Sequence, residues 1–436
     1  MKRRRFAIVG TGARSTMYRD ALSGEYSKTC ELIALCDKNP LRMAAFAETL
    51  GEDFPQYCET RFDDMIREQG IEELVVTTMD ATHHQYICRA MELGCDVISE
   101  KPLTTDPEKC QQILDTQKRT GKRLRVTFNY RYAQRNSKVK EVLQSGAIGD
   151  VVSAHFEWLL DTKHGADYFR RWHRDKANSG GLMVHKSTHH FDLMNWWMNT
   201  RPALVFAQGG LRFYGKANAD ARGETHDYAR GTDPAAANDP FALDLSSDPE
   251  LKKLYLDCES ADGYHRDQNV FGEGINIEDD LAVLVRYENQ ATLSYHLTAY
   301  SPWEGYRVSF NGTKGRLELE VIENAYVSGK QDDHNFSKNV KGAAAAAVEE
   351  PTRLTLQLHW QKPQEIELPQ SNAGGHGGAD TNMLRDLLDE EQVNDPLKRA
   401  AGHLDGAYSI LTGIAANKSM ATGLPVTVAD LVSINQ

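Results

Sequence analysis

The sequence contains no apolar run near the ~18 residues that a membrane-spanning helix requires. The opening "MKRRRF" resembles the charged start of a signal peptide, but only the four apolar residues "FAIV" precede a glycine and polar residues. A net charge of −12 disfavours binding to nucleic acid, because phosphates require a basic face. We therefore expect a cytoplasmic protein that binds neither membranes nor nucleic acid.

Cysteine is also scarce, and its spacing is not that of a metal site. The chain has seven cysteines, and none of them forms a C-x-x-C pair. This pattern favours reduced, packed thiols and predicts no metal centre. Disulfides are thus not expected to stabilise the fold, and a chain of 436 residues should form two domains or three.

The first stretch that is rich in information is "RRFAIVGTGARSTMYRDAL", an apolar strand, a glycine turn and a helix. Gly10 and Gly12 match the first two glycines of a dinucleotide fingerprint, and Ser15 stands at the third position. The first glycine permits a tight turn, and the second permits close approach to a pyrophosphate at the helix N-terminus. Glycine turns after strands are common, so the motif alone is a weak signal.

The following segments strengthen this interpretation. "CELIALCDKNP" predicts a second strand with Asp37 at its end, where a carboxylate would accept from ribose hydroxyls and favour NAD over NADP. The positive charge of Lys38 beside Asp37 could reduce the preference for NAD over NADP. Asp37 could also be an ordinary turn residue, since aspartate is common at the start of a loop. "IEELVVTTM", "CDVISEKPL" and "RLRVTFNYR" predict further strands with helices between them. This alternation predicts a parallel Rossmann sheet over residues 1–128, with ligands at the carboxyl ends of its strands.

Several of these segments together resemble the Gfo/Idh/MocA oxidoreductases, which include glucose–fructose oxidoreductase and inositol dehydrogenases. "SEKPLT" resembles the Glu-Lys-Pro that follows a strand in that family, and "TTMDATHH" resembles its T-P-N-x-x-H segment, with Met79 and Asp80 replacing Pro and Asn. "FNYRY", "SGAIGDV" and "ATGLPVTVADL" add matches in the same order. "GGLMVHKSTHHFD" resembles G-G-x-x-x-D-x-x-x-H-x-x-D, with His185 at the position of the acid.

The resemblance implies roles for individual residues. Lys101, His189 and His185 would be catalytic. Contacts with the cofactor, NAD in preference to NADP, would come from Gly10, Gly12, Ala13, Arg14, Asp37, Thr78, His83, Glu100, Lys101 and Asn129. Substrate contacts would come from Arg131, Trp172, His173, Lys186 and His376, although Trp172 and His173 suit a domain interface equally well.

His185 has three interpretations, because an imidazole replaces a carboxylate there. It could orient His189 or the substrate, or form an H-x-x-x-H metal site with His189, since a spacing of four places two residues on one face of a helix. It could also simply pack in the core. His189 itself titrates near neutrality, as an acid/base group must, or is a structural helix residue.

The remaining chain, residues 129–436, predicts an α+β domain with a mostly antiparallel sheet and helices on one face. Five apolar stretches beginning with "PALVFAQGG" predict its strands, and "NGTKG" predicts a tight turn between two of them. The segment 215–276 is long and poor in apolar residues. Four interpretations of this segment remain open: a lid over the pocket, an oligomer contact, a disordered loop, or a solvent-exposed loop without a function.

The family resemblance implies an NAD-dependent oxidoreductase that transfers hydride between nicotinamide and a carbinol carbon of a sugar, sugar derivative or cyclitol. We expect a small-molecule carbohydrate substrate and a homo-oligomer, either a dimer or a tetramer. Two alternatives remain open. One is a redox-neutral, NAD-dependent glycosidase or lyase that acts through a transient keto-sugar. The other is a non-enzymatic regulator that binds a dinucleotide, although a regulator would need neither Lys101 nor His189.

Overall fold

The computed structural model describes residues 2–51, 54–329, 352–369, 375–389 and 394–434. Its first sheet has six parallel strands in the spatial order β3-β2-β1-β4-β5-β6. These strands are β1 (Arg4–Val9), β2 (Cys30–Cys36), β3 (Gln56–Tyr57), β4 (Glu73–Val76), β5 (Asp96–Ser99) and β6 (Leu124–Val126). Its helices are α1 (Thr16–Ser23), α2 (Pro40–Ala47), α3 (Phe62–Glu68), α4 (His83–Glu92) and α5 (Pro107–Thr120). The predicted Rossmann sheet is confirmed.

Local sequence signals place several boundaries of this domain. Asn39 caps α2 by accepting a hydrogen bond from the Arg42 N–H. Asp106 caps α5 in the same way, and Gly121 ends α5 at a φ of 65°. The strand order reverses beside β1, so the crevice at the carboxyl ends of β1 and β4 is where such sheets bind ligands.

The end of the domain differs from the prediction. The apolar pattern of "RLRVTFNYR" predicts a strand up to Arg131, but β6 ends at Val126. Residues Asn129–Tyr132 instead form a 3-10 turn, in which the Arg131 N–H donates to the Phe128 carbonyl. This turn carries polar side chains from the end of the first sheet towards the second domain.

The second sheet has nine strands in the described residues, in the order β14-β13-β12-β11-β7-β10-β9-β8-β15. All neighbouring strands are antiparallel apart from the parallel β7–β10 pair. The strands are β7 (Val151–Asp161), β8 (Pro202–Gly210), β9 (Asp280–Tyr287), β10 (Thr292–Ser301), β11 (Glu304–Gly312), β12 (Gly315–Asn324), β13 (Arg353–Leu358), β14 (Gln364–Ile366) and β15 (Val426–Thr427). The predicted, mostly antiparallel sheet is confirmed.

The second part of the chain contains ten helices among the described residues, and several of them cover one face of this sheet. The ten helices are α6 (Gln134–Gln144), α7 (Thr162–Arg170), α8 (Lys176–Ser179), α9 (Leu182–His185), α10 (Thr188–Met198), α11 (Lys216–Arg222), α12 (Pro249–Leu254), α13 (Glu259–Asp262), α14 (Gly375–Leu388) and α15 (His403–Thr422). Helix α15 lies against β8, α9 and α10. Residues in β9 and β10 alternate between buried and more exposed positions, as expected for a sheet with one covered face. No helix in the described ranges is long and apolar enough to cross a bilayer.

The segment 215–276 is folded and contains α11, α12 and α13. Leu245 and Leu251 are buried, although the segment as a whole is polar. Its residues 243–264, which we name the cover segment, form a small apolar cluster with Ala13 and Ala45 of the first domain. A segment of the second domain therefore lies against the dinucleotide turn.

Candidate active site

The turn after β1 packs directly against the turn after β4. Gly10 has a φ of +90°, and a Cβ there would lie 2.8 Å from the Thr77 carbonyl and the Thr78 nitrogen. Only glycine fits this conformation and this space. Gly12 then precedes the 3-10 turn Ala13–Ser15, which leads into α1. Backbone N–H groups at such a helix start can bind an anion.

Asp37 lies just beyond β2, where the ribose contact was predicted. Its Oδ2 accepts from the Thr11 N–H at 2.6 Å and from the Thr11 hydroxyl at 2.9 Å, and its Oδ1 accepts from the Asn39 N–H at 2.8 Å. The Arg42 guanidinium lies 4.0 Å from Oδ1. The carboxylate thus connects the glycine turn to α2, and a nearby cation weakens the repulsion that it would exert on a 2′-phosphate.

Glu100, Arg14 and Asn129 meet beside this turn. Arg14 Nε and the Tyr18 hydroxyl both donate to Glu100 Oε1 at 2.7 Å. Asp380 of α14 accepts from Asn129 Nδ2 at 2.9 Å and from Arg14 Nη2 at 3.3 Å. Three residues predicted to contact the cofactor are therefore brought together, and a carboxylate from a distant helix joins them.

His83 is buried and connects two strand ends. Its Nδ1 lies 2.8 Å from the Pro102 carbonyl oxygen, and its Nε2 lies 3.1 Å from the Thr78 carbonyl oxygen. Burial lowers the pKa of this imidazole. His83 thus holds the turn after β4 against the turn after β5, which carries Lys101.

Lys101 and His185 meet between the two domains. Lys101 Nζ donates to the His185 carbonyl oxygen at 3.2 Å. Burial lowers the pKa of Lys101 to about 8, while Asp80 and Glu100 act in the opposite direction. A lysine in this state loses its proton near physiological pH and can serve as a base.

The His185 ring contacts an acid and three aromatic rings. Its Nδ1 lies 2.5 Å from Oδ2 of Asp80, which is the first residue of the 3-10 turn after β4. The His173 ring centroid is 4.1 Å away, and those of Tyr168 and Trp172 are 5.5 and 5.9 Å away. Burial lowers the pKa of His185 well below its ordinary value, and His173 and Lys101 lower it further.

His189 lies in the first turn of α10 and stacks on Tyr130 at a centroid distance of 4.3 Å. Lys186 is buried nearby, with its ammonium 4.6 Å from the centroid of the Trp158 ring and 3.4 Å from the Tyr130 hydroxyl. Burial lowers the pKa of Lys186 to about 8. A second lysine with a low pKa therefore lies close to the predicted catalytic histidine.

The two predicted catalytic histidines do not lie on one continuous helix. Helix α9 ends at His185, and α10 begins at Thr188 after a break at Lys186 and Ser187. The expectation that a spacing of four places His185 and His189 on one helical face is therefore wrong here. Among the described residues, no group of three or more His, Cys, Asp or Glu side chains is arranged to hold a metal ion.

Arg131 is engaged in a buried ion pair. Its Nε and Nη2 donate to the two carboxylate oxygens of Asp192 at 2.7 and 2.5 Å, and Nη2 also donates to Asp405 at 2.9 Å. Such a bidentate pair fixes the 3-10 turn to α10. We therefore do not include Arg131 among the proposed substrate contacts. His376 falls in the first turn of α14, outside the residues whose side chains are described.

The cover segment makes polar contacts with the dinucleotide turn. The Tyr255 hydroxyl accepts a hydrogen bond from the Ala13 N–H at 2.9 Å, which is the type of donor expected to bind a phosphate. A Cβ at Gly12 would lie 3.5 Å from the same hydroxyl. Arg42 extends the contact, because it pairs with Asp262 at 3.1 Å.

These residues fit a dinucleotide. Two positions of the turn are glycines, the Ala13 N–H is directed at an oxygen, and a buried carboxylate stands at the end of β2. The fit requires the Tyr255 hydroxyl to yield its place on the Ala13 N–H to a phosphate oxygen.

Sequence reasoning did not assign roles to Asp80, Tyr130 or Tyr255. The contact between Asp80 and His185 could have been suspected from the sequence, because both residues depart from the family pattern, and the structure places them in contact. Nothing in the sequence indicated a role for Tyr255, because Tyr255 is 242 residues away from its partner Ala13 in the chain.

Comparisons with known proteins agree with this architecture. Residues 4–128 match the model of the oxidoreductase family's NAD-binding Rossmann fold, and residues 140–428 match the model of its C-terminal alpha/beta domain. A Bacillus subtilis protein named as an oxidoreductase, YteT, is 34% identical over 97% of both chains. An inositol 2-dehydrogenase of Rhizobium meliloti is 28% identical over 50% of this chain and 61% of its own length.

A solved structure shares the fold. The WlbA dehydrogenase from Bordetella pertussis, in complex with NADH and UDP-GlcNAcA, superposes with a TM-score of 0.62 at 17% identity, over 98% of this chain and 99% of its own. Together with the two family models and the Bacillus relative, this likeness identifies the protein as a member of the Gfo/Idh/MocA oxidoreductase family.

Proposed function

We propose that the protein is an NAD-dependent oxidoreductase that transfers hydride between nicotinamide and a carbinol carbon of a sugar, sugar derivative or cyclitol. The hydrogen bond from Lys101 to the His185 carbonyl carries the proposal, because it joins a strand-end lysine of the Rossmann domain to the segment of the second domain that carries His185. The names of the relatives support the substrate class, since one is an inositol dehydrogenase and another was solved with NADH and a sugar nucleotide.

The cofactor would be held by the residues around the glycine turn. Gly10, Gly12 and Ala13 would receive the pyrophosphate, Asp37 the adenosine ribose, and the nicotinamide half would lie near the remaining predicted contacts, Arg14, Thr78, His83, Glu100, Lys101 and Asn129. When bound, NAD supplies the acceptor for the hydride that leaves the substrate carbon.

The protein's side chains would handle the proton. In the oxidation, the substrate hydroxyl gives its proton to the neutral amine of Lys101, whose pKa of about 8 permits this role. His185 is kept neutral by burial and would accept a hydrogen bond or a proton from the substrate, with His189 as the second proton carrier. Trp172, His173 and Lys186 would contact the sugar ring and its hydroxyls.

A screen of NADH absorbance at 340 nm over a panel of sugars, uronates and cyclitols tests the proposal. We expect at least one compound to reduce NAD with the wild-type protein, and Lys101→Ala to lose most of that turnover while retaining NAD binding. NAD binding, measured by quenching of tryptophan fluorescence, would show that the variant is folded. Turnover that survives in Lys101→Ala would contradict the assigned role.

The contact between Tyr255 and Ala13 supports a second candidate function. The Tyr255 hydroxyl must first leave the Ala13 N–H for a phosphate to bind, but the cover segment also packs on the first domain through an apolar cluster. A segment that closes again over bound NAD would slow the exchange of cofactor, which suits a redox-neutral glycosidase or lyase that keeps its NAD. In that case NAD would co-purify with the protein, and product would form without accumulation of NADH. Stoichiometric release of NADH would reject this candidate. For either function we further propose a cytoplasmic homo-oligomer, and sedimentation can measure its size.

A further inference from the structure

We propose that Asp80 is a positioning residue that orients His185 of the opposite domain and compensates the charge of Lys101 of its own domain. The inference deepens the proposed function and rests on it. Asp80 is buried at the carboxyl end of β4, and it contacts a helix that lies 105 residues further along the chain. One carboxylate thus serves two groups that the proposed reaction uses.

The first of these groups is the His185 imidazole. The 2.5 Å contact between Asp80 Oδ2 and His185 Nδ1 holds one proton between the two atoms. We assign that proton to Nδ1, so that the carboxylate accepts it and Nε2 keeps a lone pair for the substrate. In the Ser-His-Asp arrangement, a buried aspartate orients its histidine in this way and stabilises the imidazolium that forms.

The second group is the Lys101 amine. Lys101 and Asp80 both contact His185, the first through the backbone carbonyl and the second through the ring. Asp80 is also the charge that most opposes the lowering of the Lys101 pKa by burial. When Lys101 takes the substrate proton, a buried cation forms, and the Asp80 carboxylate compensates it. Without Asp80, the amine would lose its proton at lower pH and would be a weaker base.

The other groups around His185 leave Asp80 as its main negative neighbour. Lys101, Arg171, His173 and Lys186 all act to lower the pKa of His185. The Tyr168 and Trp172 rings are uncharged neighbours. Burial raises the pKa of Asp80 well above its ordinary value, although Lys101 and Arg171 oppose that rise. The proposal therefore rests on the short contact with His185 Nδ1, in which the proton lies on the imidazole and the carboxylate accepts it.

The proton and electron balance is that of an alcohol oxidation. The substrate O–H bond breaks and its proton forms an N–H bond on Lys101. The C–H bond breaks and its electron pair leaves with hydride to NAD, so that the carbinol becomes a carbonyl. Asp80 exchanges no atoms with the substrate, and it acts only through Lys101 and His185.

The first experiment measures the pH profile of kcat/KM for Asp80→Asn. We expect a fall of on the order of 10²–10³-fold and a shift of the Lys101-dependent limb to lower pH, because the charge that raises the pKa of Lys101 is lost. NAD affinity should stay within about twofold. If Asp80 had a purely structural role, the variant would be less stable but the Lys101-dependent limb of the pH profile would not move. That result would overturn the proposal.

Asp239→Asn provides a matched control. His226 Nδ1 and Asp239 Oδ2 form another part-buried pair at 2.5 Å, within the segment 215–276. This change should affect thermal stability and leave the pH limb unchanged. An equal shift of the limb in both variants would show that the effect is not specific to Asp80.

The second experiment moves the carboxylate from position 80 to position 185. Asp80→Asn combined with His185→Asp returns the carboxylate to α9, where the family pattern has it. The double variant should be at least tenfold more active than either single variant, because the acid again lies between the two domains. Activity no higher than the product of the two single effects would contradict the proposal.

A third readout does not need the substrate. In protein labelled with ¹⁵N-histidine, the His185 signal, identified by its loss in His185→Gln, should show a proton on Nδ1. A proton on Nε2 would overturn the assignment even in an active enzyme. If the signal is as expected but no sugar reduces NAD, the proposed function fails while the Asp80–His185 arrangement stands.

Discussion

A variant that replaces Lys101 with methionine should lose the rise of activity with pH that we expect of the wild-type protein. Methionine keeps much of the length and apolar volume of lysine and has no amine. The residue lies where β5 meets the second domain, and its ammonium contacts the His185 carbonyl. The variant thus removes a base while preserving most of the packing.

The magnitude follows from the shift in pKa. Burial lowers the pKa of Lys101 from 10.5 to about 8. At pH 8 about half of the molecules carry a neutral amine, whereas a lysine with the ordinary pKa would be neutral in roughly 0.3% of them. Burial therefore raises the population of the active base by about 150-fold. Because the neutral form is required, kcat/KM should rise about tenfold per pH unit below pH 8 and level off above it.

The assay is kcat/KM for NAD reduction at 340 nm between pH 6 and 10, with a substrate found in the screen. Lys101→Met should lower the plateau by about 10²–10⁴-fold and remove the limb near pH 8. The dissociation constant for NAD, measured separately by fluorescence, should change little. This pattern would locate the loss in the proton transfer and not in cofactor binding.

Lys140→Met is the matched control. Burial lowers the pKa of Lys140 to about 8 as well, but its ammonium donates to the Trp196 carbonyl, and we assign it no part in the reaction. This variant should unfold more easily and keep the limb. A wild-type profile that is flat from pH 6 to 10, or a limb that persists in Lys101→Met, would refute the reasoning.

Three further predictions concern the cofactor and the fold. Tyr255→Phe removes the hydroxyl that accepts the hydrogen bond from the Ala13 N–H. Because one hydrogen bond is worth roughly 0.5–1.5 kcal/mol, the variant should bind NAD about 2–10-fold more tightly in calorimetry. Weaker binding would show that the hydroxyl binds the cofactor instead of competing with it. Asp192→Asn leaves the buried Arg131 cation with Asp405 as its remaining carboxylate partner. The variant should lower the free energy of unfolding in urea by about 1.5–3 kcal/mol, the value of a hydrogen bond to a charged group, and a loss below about 0.5 kcal/mol would contradict the importance of the Arg131–Asp192 pair. The wild-type protein should bind NAD at least about tenfold more tightly than NADP, and Asp37→Ser should narrow that ratio; equal affinities in the wild type would reject the role of the carboxylate.

The sequence by itself determined the elements that depend on local patterns. Alternating strands and helices predicted the parallel sheet, and apolar alternation predicted the strands β8 to β13. The positions of Gly10, Asp37 and Lys101 at strand ends also followed, since parallel strands bring their carboxyl ends to one edge of a sheet. These features were predictable because each depends on residues within a few positions of one another.

Only the tertiary structure decided which side chains meet. It broke the helix between His185 and His189, placed Arg131 in an ion pair with Asp192, and brought Asp80 to His185. It also placed the cover segment against the Ala13 N–H, although the polar sequence of that segment is equally typical of a solvent-exposed loop. These contacts join residues that are about 60 to 240 positions apart in the chain. Local periodicity carries no information on such pairs, because they form only when two domains pack and buried polar groups must find partners.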